Sequence, residues 1–371
     1  MLRLAVLLPL VFGAAASAQP DAPDDLAEAV ATYADLIVAG DGEATGAFWD
    51  PEAYAERVLA GIELSQADVA GVRLGARRLT LGEEFIQADA AGSFRLLRLA
   101  ERGGEPRARF RMVDAEGGVK YLDLLFQPDE DGAYRLVDAY NFMQAEDLSD
   151  SARRILRGLT GSMVQGSGQA MGRDRLVVEL TQALQREDWQ TVVDLYPRIP
   201  PREEDRKTLL IFYLQAASMV DFGQYRKALD LFERDFRDDP DAALVLIDHH
   251  VLQGDTEAAL ASIDLLDAGV GGDPFLDYVR ANVLLGAGRT NEASGAADRL
   301  AEALPDMARA HYPRLDIALA VGDYATLVEG LLHLERDFDH WFDPVMLKND
   351  PAWAGFVASP AFKRWLTARA E

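Results

Sequence analysis

Two stretches of different period predict the fold class: an α+β N-terminal domain, helices plus a four-stranded antiparallel meander, followed by an all-α array of helical hairpins. Three observations carry this. Apolar residues recur at helical spacing from residue 24 to about 70. Alternation with a period of two takes over between 93 and 143. Beyond residue 200, glycine-marked hairpins return at near-constant intervals.

The first residues stand apart from both. "MLRLAVLLPLVFGAAASAQP" has one early charge, Arg3, an apolar run from Leu4 to Phe12, and small residues ending in Ala16-Ser17-Ala18. This is the layout of a secretory signal peptide over residues 1–18, with cleavage expected after Ala18. A retained membrane anchor is the alternative, but the run is shorter than the ~20 residues a spanning helix needs. The 371 residues contain no cysteine, so export brings neither disulfides nor a lipidated cysteine. The reading is a periplasmic protein with no stable membrane anchor after cleavage; secretion beyond the cell is the alternative. The formal charge is −25 and both halves are acidic, which argues against nucleic acid and anionic lipid partners.

Residues 19–160 form the first domain. In "DDLAEAVATYADLIVAGD", Leu26, Val30, Tyr33, Leu36 and Ile37 share one helical face, with Asp24 as N-cap and Gly40 as stop. Pro51 opens a second helix, and 65–85 is ambiguous. Then "SFRLLRLAER" (93–102), "PRARFRMV" (106–113), "GVKYLDLLFQ" (118–127) and "AYRLVDAYNFM" (133–143) read as strands joined by short turns. "EDLSDSARRILRGL" closes the domain as a helix capped by Ser149 or Ser151. The Gly/Ser stretch 161–173 reads as a linker or ordered loop.

Residues 174–340 carry the hairpins. With Gly223, Gly254, Gly288 and Gly322 as turns, Ala228, Ala259, Ala293 and Leu327 follow at +5, and Phe232, Ile263, Ala297 and Leu331 at +9. Pro240 and Pro305 follow at +17. The turn glycines are 31, 34 and 34 residues apart. A glycine ends the first helix without a Cβ penalty, a small residue lets the second approach, and proline stops it. This pattern, over about 205–338, resembles the tetratricopeptide repeat (TPR) family, which implies a helical-hairpin solenoid. Ala216 and Ala281 keep the family's small eighth position; Ile247 and Leu315 depart from it, Asp235 replaces a small residue, and Pro274 comes late. "REDWQTVVDLYPRIPP" (186–201) reads as an earlier unit, with Trp189 in the Tyr225 position. The segment 341–371, with Trp341, Trp353 and Trp365, reads as an aromatic cap on the last hairpin or as a docking surface.

The first domain, helices followed by a meander, weakly resembles the nuclear-transport-factor-2-like or cystatin-like α+β cone, whose members range from enzymes to interaction modules. Arg107, Arg109 and Arg111 alternate with Ala108, Phe110 and Met112, and Arg95, Arg98 and Arg102 lie on the preceding strand. They read as an island for an anionic ligand or acidic partner, or as a solvated face paired with nearby acids. Tyr121 and Asp123 share one strand face, and Asp138 and Tyr140 another; they would line a pocket for acid–base chemistry, or else pack and hydrogen-bond internally. "PDEDG" (128–132) lacks the ligands of an EF-hand loop. His249-His250 diverge on a helix, His333 and His340 are seven apart, and no phosphate loop or G-x-S-x-G is present. No cofactor, metal or catalytic residue is expected.

Together these readings suggest a non-enzymatic, exported interaction module that binds a protein or peptide through the helical-repeat surface. The alternatives are small-ligand binding or acid–base catalysis in the cone domain, and an architectural oligomer with the tail at the subunit contact.

Overall fold

Leu26, Val30, Tyr33 and Ile37 are fully buried along one side of α1 (Asp24–Ala39), as their spacing requires, and Gly40 ends that helix at φ +68°. The computed structural model describes residues 24–79, 81–89, 93–114, 117–144, 146–164 and 168–369; the expected leader, 1–18, lies outside them. The chain divides into two compact units, Met1–His249 and His250–Glu371.

In the first unit α2 (Gly42–Gly46), α3 (Pro51–Leu59), α4 (Gln66–Ala76) and α5 (Leu81–Asp89) follow, so the ambiguous 65–85 stretch is largely helical. Pro51 occupies the first turn of α3, behind the Asp50 cap. The sheet is antiparallel in the order β1 (Ser93–Arg102), β2 (Glu105–Val113), β3 (Val119–Pro128), β4 (Tyr134–Asn141), β5 (Glu146–Asp147). It has five strands, not four. β5 is two residues long, paired to Tyr140 and Asn141, and so short a strand leaves no period in a sequence. One sheet face packs Ala108, Phe110, Leu122, Leu124 and Phe126 against α1 and α5. Phe94 stacks between Phe85 and Phe110, at ring centroids of 5.0 and 4.5 Å.

α6 (Leu148–Val164) and α7 (Gly168–Gln185) enclose the Gly/Ser stretch: 161–164 and 168–173 are helical rather than loop. Neither expected serine caps α6. Ser149 lies inside its first turn and donates to Asp138, and Ser151 donates to Glu146.

After 185 every second helix starts at a regular place. α8 (Trp189–Leu195), α10 (Phe222–Phe236), α12 (Thr256–Val270), α14 (Thr290–Ala303) and α16 (Tyr324–Asp337) have N-caps Asp188, Asp221, Asp255, Arg289 and Asp323. These are 33, 34, 34 and 34 residues apart. The four aspartates accept hydrogen bonds from the backbone N–H three residues on. Gly254, Gly288 and Gly322 sit just before their caps at φ of +73° to +74°. Gly223 does not. It lies within the first turn of α10, behind Asp221, and the preceding α9 (Arg206–Val220) ends without a left-handed residue. The irregular 31-residue interval is therefore a misplaced turn, and the true register counts from the caps. Phe232 then matches Leu266, Leu300 and Leu334, and Leu229 matches Ile263, Ala297 and Leu331, all buried. Ala259 and Ala293 keep their places, four after the cap and fully buried. Ala228 shifts to the position of Ser262, Ala296 and Gly330. Trp189 matches Phe222 and Tyr324 rather than Tyr225.

The even-numbered helices α8 to α16 alternate with α7, α9, α11 (Ala243–Gln253), α13 (Leu276–Gly286) and α15 (Tyr312–Val321). The C-terminal region is largely helical. α17 (Pro344–Asn349), α18 (Ala354–Ala358) and α19 (Pro360–Ala368) pack Leu347, Phe356, Phe362 and Trp365 onto Leu315, Leu327, Leu331 and Leu334, so the tail covers the last hairpin. Among the described residues no helix is long and apolar enough to cross a membrane.

Candidate functional site

The second face of the sheet carries the residues singled out as an arginine island and an acid–base pocket. In register, Arg109 lies opposite Asp123, Arg111 opposite Tyr121, Asp123 opposite Tyr140, and Leu125 opposite Asp138. All share one side of the pleat. That side is not open. Arg107, Arg109 and Arg111 are at most 6% exposed, Asp123 and Asp138 are fully buried, and Tyr121 and Tyr140 are buried.

The charges meet one another. Arg109 grips Asp123 through two bonds, Nε–Oδ1 2.7 Å and Nη2–Oδ2 2.9 Å, and Arg102 Nε reaches the same carboxylate at 3.0 Å. Arg107 pairs with Asp147 and donates to Glu105 at 3.1 Å. Arg57, from α3, spans Glu105 at 2.9 Å and Asp138 at 3.0 Å. Two arginines outweigh the burial of Glu105 and hold its carboxyl below the usual range. The island is therefore internal: Arg107 and Arg109 are committed to acids of the same unit, and Arg111 is buried with them.

Asp138 has the raised pKa that an acid–base pocket calls for, and burial is the main cause. Its oxygens are nonetheless engaged. Oδ2 accepts from Ser149 Oγ at 2.5 Å and from Arg57 Nε, and Oδ1 accepts from the backbone N–H groups of Ala139 and Ser149. Tyr140 donates to Asp241 at 2.5 Å, and Arg102 lies 3.6 Å above its ring. Burial, followed by Asp241, pushes the Tyr140 phenol far up. Periodicity found these strand residues. It missed Arg57, Asp147, Ser149 and Asp241, because partners brought in by other elements leave no mark on a strand's own pattern.

A more accessible polar surface lies in the second unit, on the first helices of its hairpins. Counted back from each cap, Tyr278 and Tyr312 occupy position −11, and Asn282 and Asp316 position −7. Four residues apart, each pair shares a helix face. The two tyrosines and Asn282 are half-buried, and Asp316 is exposed. Tyr278 stacks on Phe275 at 5.1 Å and 10°. The Tyr312 hydroxyl is 3.1 Å from the His340 ring nitrogens, and Arg309 lies 5.0 Å over the Tyr312 ring. Burial raises the Tyr312 phenol above its ordinary range, opposed by Arg309 and helped by Tyr278 and Asp316. Asp316 has an open residue surface, yet protein atoms crowd its carboxyl; desolvation, opposed by Arg309, pushes its pKa up to about 6.

The remaining candidates are each explained by local contacts. "PDEDG" is a hairpin turn: Asp129 Oδ1 accepts from the N–H groups of Asp131 and Ala133, with Gly132 at φ +85°. His249 is buried, His333 pairs with Asp337 at 2.6 Å, and His340 meets Tyr312. Among the described residues no group of side chains is arranged to hold a metal ion. A cleft of about 510 Å³ is lined by Asp267, Asp277, Arg280 and Arg299, but Arg299 and Arg280 both turn to Asp277. Trp365 is buried, whereas Trp341 is 73% exposed with Arg369 stacked 3.9 Å away. No protein-family model, curated protein or solved structure matches the chain.

Proposed function

We propose that this chain is a non-enzymatic protein-interaction module, exported to the periplasm, that binds a protein or peptide segment on the inner helices of a TPR-like array. The observation that carries the reading is the cap register: five second helices begin 33 or 34 residues apart. An equal period favours stacking of like hairpins within a unit. Tyr278, Asn282, Tyr312 and Asp316 recur at equivalent places on α13 and α15, half-buried or exposed, where tyrosines supply contact area at low entropic cost. The helical-hairpin solenoid and the tetratricopeptide resemblance enter on the same footing. Export rests on the leader sequence at 1–18.

Acid–base catalysis in the sheet domain finds less support, because Asp123, Asp138 and Tyr140 are occupied by Arg109, Ser149, Arg57 and Asp241. The test is site-specific photo-crosslinking in the cell, with the crosslinking residue at Asn282 on α13 or Asp316 on α15, and at the exposed Glu302 on α14 as control. A discrete protein product from the inner positions alone is expected. No product from them, or equal products from Glu302, would reduce the helices to a spacer.

A further inference from the structure

Beyond the hairpin array, we propose that the C-terminal cap binds an acidic peptide segment, one that carries aspartate or glutamate beside an apolar residue, through Trp341, Lys363 and Arg364. Three contacts bring these residues to one surface. On α19, Lys363, Arg364, Thr367 and Ala368 are exposed at helical spacing, away from the buried Phe362 and Trp365, and line a shallow cleft of about 380 Å³. At the end of that helix Arg369 lies 3.9 Å over the Trp341 ring and 4.4 Å over the Trp365 ring. From α17, the Lys348 ammonium comes to 5.7 Å from the Phe362 ring.

The apolar part of this surface is held ready. Arg369 is itself buried between the two tryptophans, with Nη2 2.7 Å from Glu335 and Nη1 donating to the Phe342 carbonyl at 2.9 Å. Its charge is thus answered within the chain, and its guanidinium serves to fix Trp341, which remains 73% exposed. A tryptophan already pinned in place loses little freedom on binding and supplies a large contact area.

The polar part is unanswered. Neither Lys363 nor Arg364 has an ion pair or hydrogen bond to a described residue, whereas Arg280, Arg299 and Arg314 on the hairpins pair with Asp264, Asp277 and Asp298. Between Pro344 and Arg369 stand four basic residues and one acid, Asp350, whose carboxylate caps the turn at 351–353. In a chain of net charge −25 this is a local reversal of sign. Charges farther off than about 8 Å are largely screened at physiological ionic strength, so a short acidic segment meets the cap's own cations. Arg364 can take a carboxylate through two parallel bonds, and Lys363 adds a point charge beside it. A second copy suits the surface badly, since two facing caps would set like charges together. An anionic bilayer, being broad, meets the whole acidic chain.

The test uses the full mature chain and two fluorescent peptides, Gly-Asp-Leu-Glu-Asp-Leu-Gly and Gly-Asn-Leu-Gln-Asn-Leu-Gly, read by anisotropy at two salt concentrations. The acidic peptide should bind, more weakly as salt rises, and the amide peptide should not. Lys363→Gln with Arg364→Gln should weaken binding by about tenfold or more, and Trp341→Ala by a similar factor. Lys227→Gln, an exposed lysine on α10, should leave it unchanged. All these side chains are exposed, so an unchanged melting temperature verifies that each variant is folded. No binding of the acidic peptide, equal binding of the amide peptide, or an equal loss from Lys227→Gln would overturn the proposal. Phosphatidylglycerol vesicles that bind through Trp341 and Lys363 where the peptide does not would also overturn it, in favour of a membrane contact. The result is read at the cap and does not depend on a crosslink from position 282, so either reading can fail alone.

Discussion

The Tyr140 hydroxyl donates a 2.5 Å hydrogen bond to Asp241, a residue 101 positions later, at the turn between α10 and α11. Arg102 completes the contact, stacked 3.6 Å over the Tyr140 ring with Nη1 3.4 Å from Asp241. One triad thus fastens the turn before α11 to the polar side of the sheet. Asp241→Ala removes the acceptor and leaves the phenol short of a partner, which should cost about 1–3 kcal/mol by urea unfolding. The pH dependence has a definite sign. Burial and Asp241 raise the Tyr140 pKa above its ordinary 10. Its contribution is therefore full below pH 10 and is lost as pH rises beyond that, when the unfolded chain ionises first. Tyr140→Phe should flatten the decline in stability between pH 9 and 11; an unchanged slope would place the alkaline sensitivity elsewhere.

Arg109 and Asp123 form a two-bond ion pair, 7% and 0% exposed. Breaking such a pair costs about 3–5 kcal/mol, tempered here because Arg102 still reaches Asp123. Arg109→Ala should therefore lower the melting temperature strongly, and serine at Arg107, Arg109 and Arg111 together should unfold the domain. Arg109→Met with Asp123→Leu should recover much of the loss, since neither charge is then left buried alone. A triple-serine variant that stays folded but loses an anionic ligand would restore the island to a binding role.

Much of this architecture is legible in the sequence. β1 to β4 fall within a residue or two of the alternating runs, because a strand with one apolar side writes its period directly. The polar side was harder. "PRARFRMV" alternates whether its arginines meet water or Asp123, and the difference lies in α3, β5 and the 239–241 turn, far away in the chain. The hairpins show the reverse. Glycine drew attention as the turn marker, and Gly223 misled, since α9 ends on the extended Asp221 rather than on a left-handed residue. The aspartate caps were the better signal. Their side chains satisfy the free N–H groups at every second helix but one, where Arg289 instead binds Glu257 and Glu292. Asp316 could have been found by counting back from those caps, because its equivalent on α13 is Asn282.

Asp316 should titrate with a midpoint near pH 6, well above the ordinary 3.8, with desolvation as the cause and Arg309 as the opposing charge. The folded chain then keeps a proton that the unfolded chain has already released between pH 4 and 6, so this group weakens the fold as pH rises through that interval. Carboxyl carbon NMR on aspartate-labelled protein should show one resonance with that midpoint, absent in Asp316→Asn. Tyr312 and His340 face the same region, so Arg309→Gln should push the midpoint higher still. A midpoint near 4 would mean that water reaches the carboxyl freely.

Gly330 and Leu315 settle how closely α15 and α16 approach. A Cβ built at Gly330 collides with Leu315 Cδ2, and Leu315 belongs to the buried cluster under the C-terminal cap. In the preceding hairpin the equivalent pair is Ala281 and Ala296, both buried in one cluster. Volume has moved from one partner to the other, which explains why the family-like small position at 315 is filled by leucine: the glycine opposite makes room. Gly330→Ala should cost about 1–3 kcal/mol through overpacking, beyond any gain from the better helix former. Leu315→Ala should cost about 2–5 kcal/mol through its cavity. Combined, the two changes recreate the alanine pair of the preceding hairpin, and their cost should fall clearly short of the sum, a coupling that a double-mutant cycle of urea midpoints resolves. Strict additivity would show that the helices can slide apart to accept the methyl group, and that the glycine is not what sets their distance.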